Sequence, residues 1–171
     1  MSSEAGDVAS ELSSVTRALT LWPEWAGAIA YLDKRVENRT FQPPASILGT
    51  RIAIHAGAHT GGATGTMRRI DGLQSVARMA VRAGWRLHRD GTLRKAGAEP
   101  VSLTSLDARC GAIFVTARVV GFDVDQRTGW DVPGQVHWRL DEVVVVAPII
   151  CAGRQNVWVL DDEQRAQLRP K

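Results

Sequence analysis

The chain has 171 residues, 44% of them hydrophobic and 23% charged, and a formal net charge of +3. A globular chain of this length buries roughly 70% of the surface its unfolded form exposes, so it needs no disulfide or metal to fold. The composition excludes a disordered, collagen-like or coiled-coil chain, and the longest apolar stretch, Val143 to Ala152, is about half the length that crosses a bilayer.

Residues Met1 to Ser14 are rich in Ser, Ala, Glu and Asp and carry few large apolar side chains. They predict a flexible tail over residues 1–17. No charged leader followed by an apolar run opens the chain, so the sequence predicts no secretory export. Ala18 to Leu21 reads as a short strand. Pro23 supplies the first turn of a helix reaching Leu32, because its missing N–H is not needed there. Trp25, Ile29 and Leu32 share one face of that helix. Arg35 to Arg39 reads as a strand, Thr40 to Leu48 with its Pro43-Pro44 pair as a loop, and Arg51 to His55 as a buried strand. Gly57 to Gly65 predicts a Gly-rich loop. Asp71 then caps a helix that runs to about Ala83, where Gly84 stops it. Its Arg78 and Arg82 form an outer, basic face. Trp85 to Arg89, Asp90-Gly91 and Thr92 to Lys95 have the chemistry of a tight hairpin. Ala112 to Phe122, Leu140 to Pro148 and Val157 to Leu160 read as strands, with a loop from Val124 to Gln135. A polar tail closes the chain over residues 162–171. Short strands, two helices and many turns predict an α+β domain over residues 18–161, a small, partly closed β-barrel with flanking helices. The elements do not alternate as βαβ units do, which argues against a Rossmann fold.

The charge is unevenly placed. Eighteen of the 21 basic residues are Arg, and from Arg68 to Lys95 eight basic residues face two acids, Asp71 and Asp90. Arg favours bidentate contact with phosphate and stacking on planar groups, so the pattern points to a polyanion-facing surface. Arg86, in the hairpin, extends that basic track. The plainer reading is Arg-biased solvation of an ordinary surface.

Cys110 and Cys151 are the only cysteines and neither sits in a CxxC pair. They predict reduced, buried thiols in a cytoplasmic protein. His55 and His59 bracket the start of the Gly-rich loop, but without a neighbouring carboxylate they predict no metal site. The loop lacks the Lys-Ser/Thr pair of a phosphate-binding P-loop, and its glycines do not match a dinucleotide fingerprint. No nucleophile elbow and no Cys–His pair is visible. No cofactor is expected.

Two segments remain. Trp22 precedes the first helix and can line a pocket, where an indole stacks on a base. Asp33-Lys34-Arg35-Val36-Glu37-Asn38-Arg39 combines cations, a carboxylate and an amide. Strand alternation places Lys34 and Asn38 on one side and Glu37 and Arg39 on the other. The segment reads equally as a charged edge strand or as a binding cluster.

Leu19-Thr-Leu-Trp-Pro-Glu-Trp-Ala-Gly-Ala-Ile29, Lys34-Arg-Val-Glu-Asn-Arg39, Gly49-Thr-Arg-Ile-Ala-Ile-His-Ala-Gly57, Gly111-Ala-Ile-Phe-Val-Thr-Ala-Arg-Val-Val120, Trp138-Arg-Leu and Gly153-Arg-Gln-Asn-Val-Trp-Val-Leu160 together resemble the ASCH (activating signal cointegrator homology) family of the PUA-like superfamily. The resemblance implies a PUA-like barrel with a cleft between the barrel and the helix after the first strand. It also implies binding of RNA or other nucleic acid. Some small members are amidohydrolases on acetylated cytidine, using a Lys, a Thr and a Glu, or ribonucleases. Lys34 matches the motif Lys and Arg39 the motif Arg, but Glu37 stands where the Thr belongs. No second catalytic Glu can be placed.

The leading expectation is therefore a nucleic-acid or nucleotide-binding protein. Lys34 and Arg39 would hold phosphate or a base edge, Glu37 and Asn38 would read polar edges, Trp22 would stack, and Arg154 would add a rim contact. Arg78, Arg82 and Arg86 would follow a backbone. The alternative is a hydrolase on RNA or an acylated cytidine, with Glu37 as general base and Lys34 stabilising an oxyanion. A third is a protein-interaction module built on exposed indoles.

Overall fold

The structure is a computed structural model and describes residues 3–58 and 62–171. Among them the chain forms four α-helices: α1 (Ser3–Ser13), α2 (Pro23–Tyr31), α3 (Gly62–Arg82) and α4 (Asp162–Gln167). The strands are β1 (Arg17–Leu21), β2 (Val36–Arg39), β3 (Arg51–Ala56), β4 (Arg86–Leu87), β5 (Thr92–Arg94), β6 (Val101–Ser102), β7 (Ala112–Asp123), β8 (Val136–Ile150) and β9 (Val157–Val159).

Six strands make one curled, half-barrel sheet in the order β2-β8-β7-β3-β1-β9. Only β1 and β3 run parallel in it. The long β7–β8 pair shifts register three times. Such irregularities bend a ribbon and raise its twist, so a sheet of this length curls instead of lying flat. Strands β4, β5 and β6 form a separate three-stranded sheet.

The central strand β3 is buried along its whole length. Its alternation divides the interior. Ile52 and Ile54 enter one core with Leu19, Leu21, Ile29 and Phe114 beneath α2. Ala53 enters the other, with Leu12, Val15, Trp158 and Leu168. A third core joins α2, α3 and the small sheet through Ala28, Val76, Ala80, Trp85 and Leu93. No helix among the described residues is long and apolar enough to cross a membrane.

The architecture is α+β with a partly closed, barrel-like sheet, as expected, and several boundaries differ. Where a flexible tail was expected, residues Ser3–Ser13 form α1. Val8, Leu12 and Val15 lie at i, i+4 and i+7, and Leu12 and Val15 are fully buried. Glu11 ties α1 to the sheet through Arg51 (2.7 Å) and Arg118 (3.0 Å). At the other end, Asp161 and Gln164 form a capping box that starts α4 inside the expected polar tail. Leu168 is buried and Pro170 bridges to Val146. The Gly-rich segment does not remain a loop to Gly65: α3 begins at Gly62, and Asp71 lies inside it rather than capping it. Small size is what α3 uses there, since Gly72 is buried against Glu24. The hairpin is present but short, with Gly91 at φ +76° in its turn and β6 added beyond it. No disulfide joins Cys110 and Cys151, and Cys110 is exposed rather than buried.

Candidate functional site

A cleft of about 1140 Å³ opens where the sheet meets α2 and α3. The end of β1, the start of α2, β2, one face of α3 and the segment between β8 and β9 all line it.

Its floor comes from the turn into β2. Asp33 takes a left-handed backbone conformation (φ +53°) and reverses the chain after α2. The Lys34 N–H caps back onto the Ala28 carbonyl at 3.3 Å. Lys34 therefore precedes the strand, and strand alternation does not separate it from Glu37. Its ammonium donates to the Val36 carbonyl and, at 3.1 Å, to Glu37 Oε2. Arg39 Nε lies 3.1 Å from the other carboxylate oxygen. Lys34, Glu37 and Arg39 thus share the cleft, in a cation–carboxylate–cation row. Lys34 is 1% exposed and Glu37 8%. Burial pushes the Lys34 ammonium below the ordinary lysine pKa, and Glu37 opposes that shift. The Trp25 ring lies 5.7 Å from Lys34 Nζ.

Asn38 also lines the cleft, but its amide is committed. It donates to the Trp130 carbonyl and accepts from the Val132 N–H, and its oxygen meets His137 Nδ1 at 2.9 Å. It fastens the 124–135 loop over the sheet. Buried Asp131 closes the same loop, accepting from Arg127 N, Thr128 N and Arg139 Nη1. Burial pulls Asp131 upward, but those donors outweigh it and hold its carboxyl below the usual aspartate range.

Trp22 sits on the rim, 44% exposed. The Arg68 guanidinium lies 3.4 Å from its ring centroid and bonds both oxygens of fully buried Glu24. Arg78 and Arg82, one turn apart on α3, line the same mouth, as does Arg154, whose guanidinium is 5.9 Å from the Trp158 ring. Arg86 does not line the cleft. It is exposed on β4, directly opposite Arg94 on β5.

The inner end holds residues that sequence reasoning did not assign to binding. Thr20 on β1 and His55 on β3 are partners in the parallel register, and both line the cleft. His55 is 1% exposed, with Nε2 3.0 Å from the Cys151 carbonyl. Burial holds its pKa below the ordinary histidine value, more than that bond raises it. Thr20 Oγ1 accepts from Trp158 Nε1 at 3.1 Å. Only the pairing of β1 with β3 brings these two together, and no local motif carries that. His59, the other half of the His pair, lies outside the described residues.

A cleft of this make-up suits a planar, polar ligand that carries negative charge. Cations at the mouth offer phosphate contacts, the half-exposed Trp22 indole, with Arg68 on its ring, offers a planar rim, and the floor offers fixed donors and acceptors. No family model matches the sequence, and no curated protein is significantly similar to it.

Proposed function

We propose that the protein binds RNA, or a nucleotide, in this cleft. One observation carries the reading: buried Lys34 and Glu37, with half-buried Arg39 beside them, lie in the same cavity as exposed Trp22, Arg78, Arg82 and Arg154. A fully buried lysine is costly to keep charged, and an open cleft above it gives that charge a use. The ASCH-like Lys34-to-Arg39 segment supports the same reading, since Lys34 and Arg39 stand at the motif's Lys and Arg positions.

The test is a mobility-shift series with labelled single-stranded RNA, single-stranded DNA and duplex DNA at two salt concentrations, scoring intact and cleaved probe. A shift that weakens with salt, and by about tenfold or more in Lys34→Ala or Arg154→Ala, is the expected result. Unchanged affinity in both variants would remove the cleft from the interaction. The direct contact of Lys34 with Glu37 also favours a second reading, a hydrolase on RNA or an acylated cytidine. Its signature is turnover that Glu37→Gln abolishes while binding persists.

A further inference from the structure

We infer that the inner end of the cleft is a nucleobase-edge subsite, in which His55 Nδ1 accepts an N–H and the Thr20 hydroxyl donates to the acceptor beside it. The inference rests on the nucleotide reading above and names the residues that would read the base.

The tautomer of His55 follows from its partner. A carbonyl only accepts, so the 3.0 Å contact with the Cys151 oxygen requires the proton on Nε2. Nδ1 is then a bare acceptor. It is buried and has no hydrogen-bond partner among the described residues. Such an atom is destabilising unless something binds it, and orphaned buried acceptors are rare. His55 lines the cleft, so a ligand is the natural donor. Thr20 is set the opposite way. Its oxygen is already an acceptor for Trp158 Nε1, which leaves the hydroxyl proton to be given away.

Gly153 defines the space beside this pair. A Cβ there would lie 2.5 Å from His55 Nδ1 and Cε1 and 2.9 Å from Thr20 Oγ1. Any larger residue would press on both polar atoms. The next residue, Arg154, carries a cation at the rim of the same cavity. The segment therefore combines a small residue against a donor–acceptor pair with a cation at the mouth. A neighbouring donor and acceptor on one planar edge is the pattern of a nucleobase, and a phosphate attached through a sugar would lie toward Arg154.

The probes are the four ribonucleoside 5′-monophosphates and ribose 5-phosphate, titrated into the wild type, Thr20→Val and His55→Leu. The wild type should bind at least one monophosphate about tenfold or more tighter than ribose 5-phosphate, and each variant should erase most of that difference. Equal affinity for base-bearing and base-less probes would overturn the inference, as would variants that keep the wild-type difference. A wild type that shifts RNA but takes no monophosphate leaves the RNA reading standing and overturns the subsite. Binding of neither overturns both. If His55→Leu does not fold, the wild type still decides the matter. The ¹⁵N resonance of His55 Nδ1 should move upfield when the preferred monophosphate accepts duty as its donor partner, and a resonance that stays fixed at saturation would overturn the assignment.

Discussion

At the scale of single residues, two glycines show how closely α2 and α3 pack on their neighbours. Replacing Gly by Ala inside a helix ordinarily stabilises it by about 1 kcal/mol. Gly27, in α2, reverses that sign. Its missing side chain lets the Leu106 backbone approach so closely that a Cβ would stand 2.2 Å from the Leu106 oxygen. Backbone cannot swing aside as a side chain can. Gly27→Ala should therefore lower stability by about 1–3 kcal/mol, read from the midpoint of urea unfolding. A gain instead would mean that α2 does not press on that segment. Gly72 meets a different neighbour, the Glu24 carboxylate, at 2.1 Å from the built Cβ. That carboxylate holds Arg68 over Trp22, so crowding at Gly72 is transmitted to the rim indole.

At the scale of elements, α1 is the clearest case of structure that composition conceals. Its Ser, Ala, Glu and Asp content reads as solvated chain, yet Val8, Leu12 and Val15 have helical spacing and pack on the second core. If α1 belongs to the fold, Leu12→Ala should cost about 2–5 kcal/mol, as large-to-small changes in packed cores do. Chemical denaturation of the two proteins measures it, and a near-zero difference would return α1 to the status of a loose tail. The contrast explains what was legible. Strands β1, β3, β7 and β9 and helix α2 announce themselves because burial and period are local properties. The Gly62 start of α3 does not, because its glycines read as loop, and the close packing of Gly72 on Glu24 that gives one of them a place inside the helix is revealed only by the tertiary structure. In the cleft, Lys34, Glu37, Arg39, Trp22 and Arg154 are legible from residue type and segment. That Lys34 joins Glu37 and Arg39 depends on the left-handed turn at Asp33. Asn38 lines the cleft and also clamps the 124–135 loop, and the second role is set by contacts some ninety residues away that its own segment does not show. Thr20 and His55 meet only through the parallel β1–β3 pairing.

At the scale of the whole molecule, side chains of the first and third cores, Leu21, Trp25 and Met79, line the cleft, and its outer wall depends on charge. Arg139 joins Asp123 (2.6 Å) and buried Asp131 (2.6 Å) and thereby secures the loop that Asn38 clamps. Hydrogen bonding to Arg139 lowers the Asp123 pKa, and the donors around Asp131 lower its pKa against burial. A carboxylate whose folded pKa lies below its unfolded value contributes stability above the ordinary aspartate value of 3.8, and loses it as pH falls through the folded value. His55 acts earlier on the same axis. Its folded pKa lies below the ordinary 6.5, so below that pH the unfolded chain takes up a proton that the fold refuses, and stability declines. Acidification should therefore weaken the protein in two stages, the first beginning below pH 6.5 and the second below pH 3.8. Urea midpoints across pH 7 to 3 would resolve them. His55→Leu should flatten the first stage and leave the second. Arg139→Gln should lower stability at pH 7 and blunt the second, because the aspartates then lose the partner that made their protonation costly. A single stage insensitive to both substitutions would show that neither group governs acid unfolding, and that the loop over the cleft is held by packing rather than by charge.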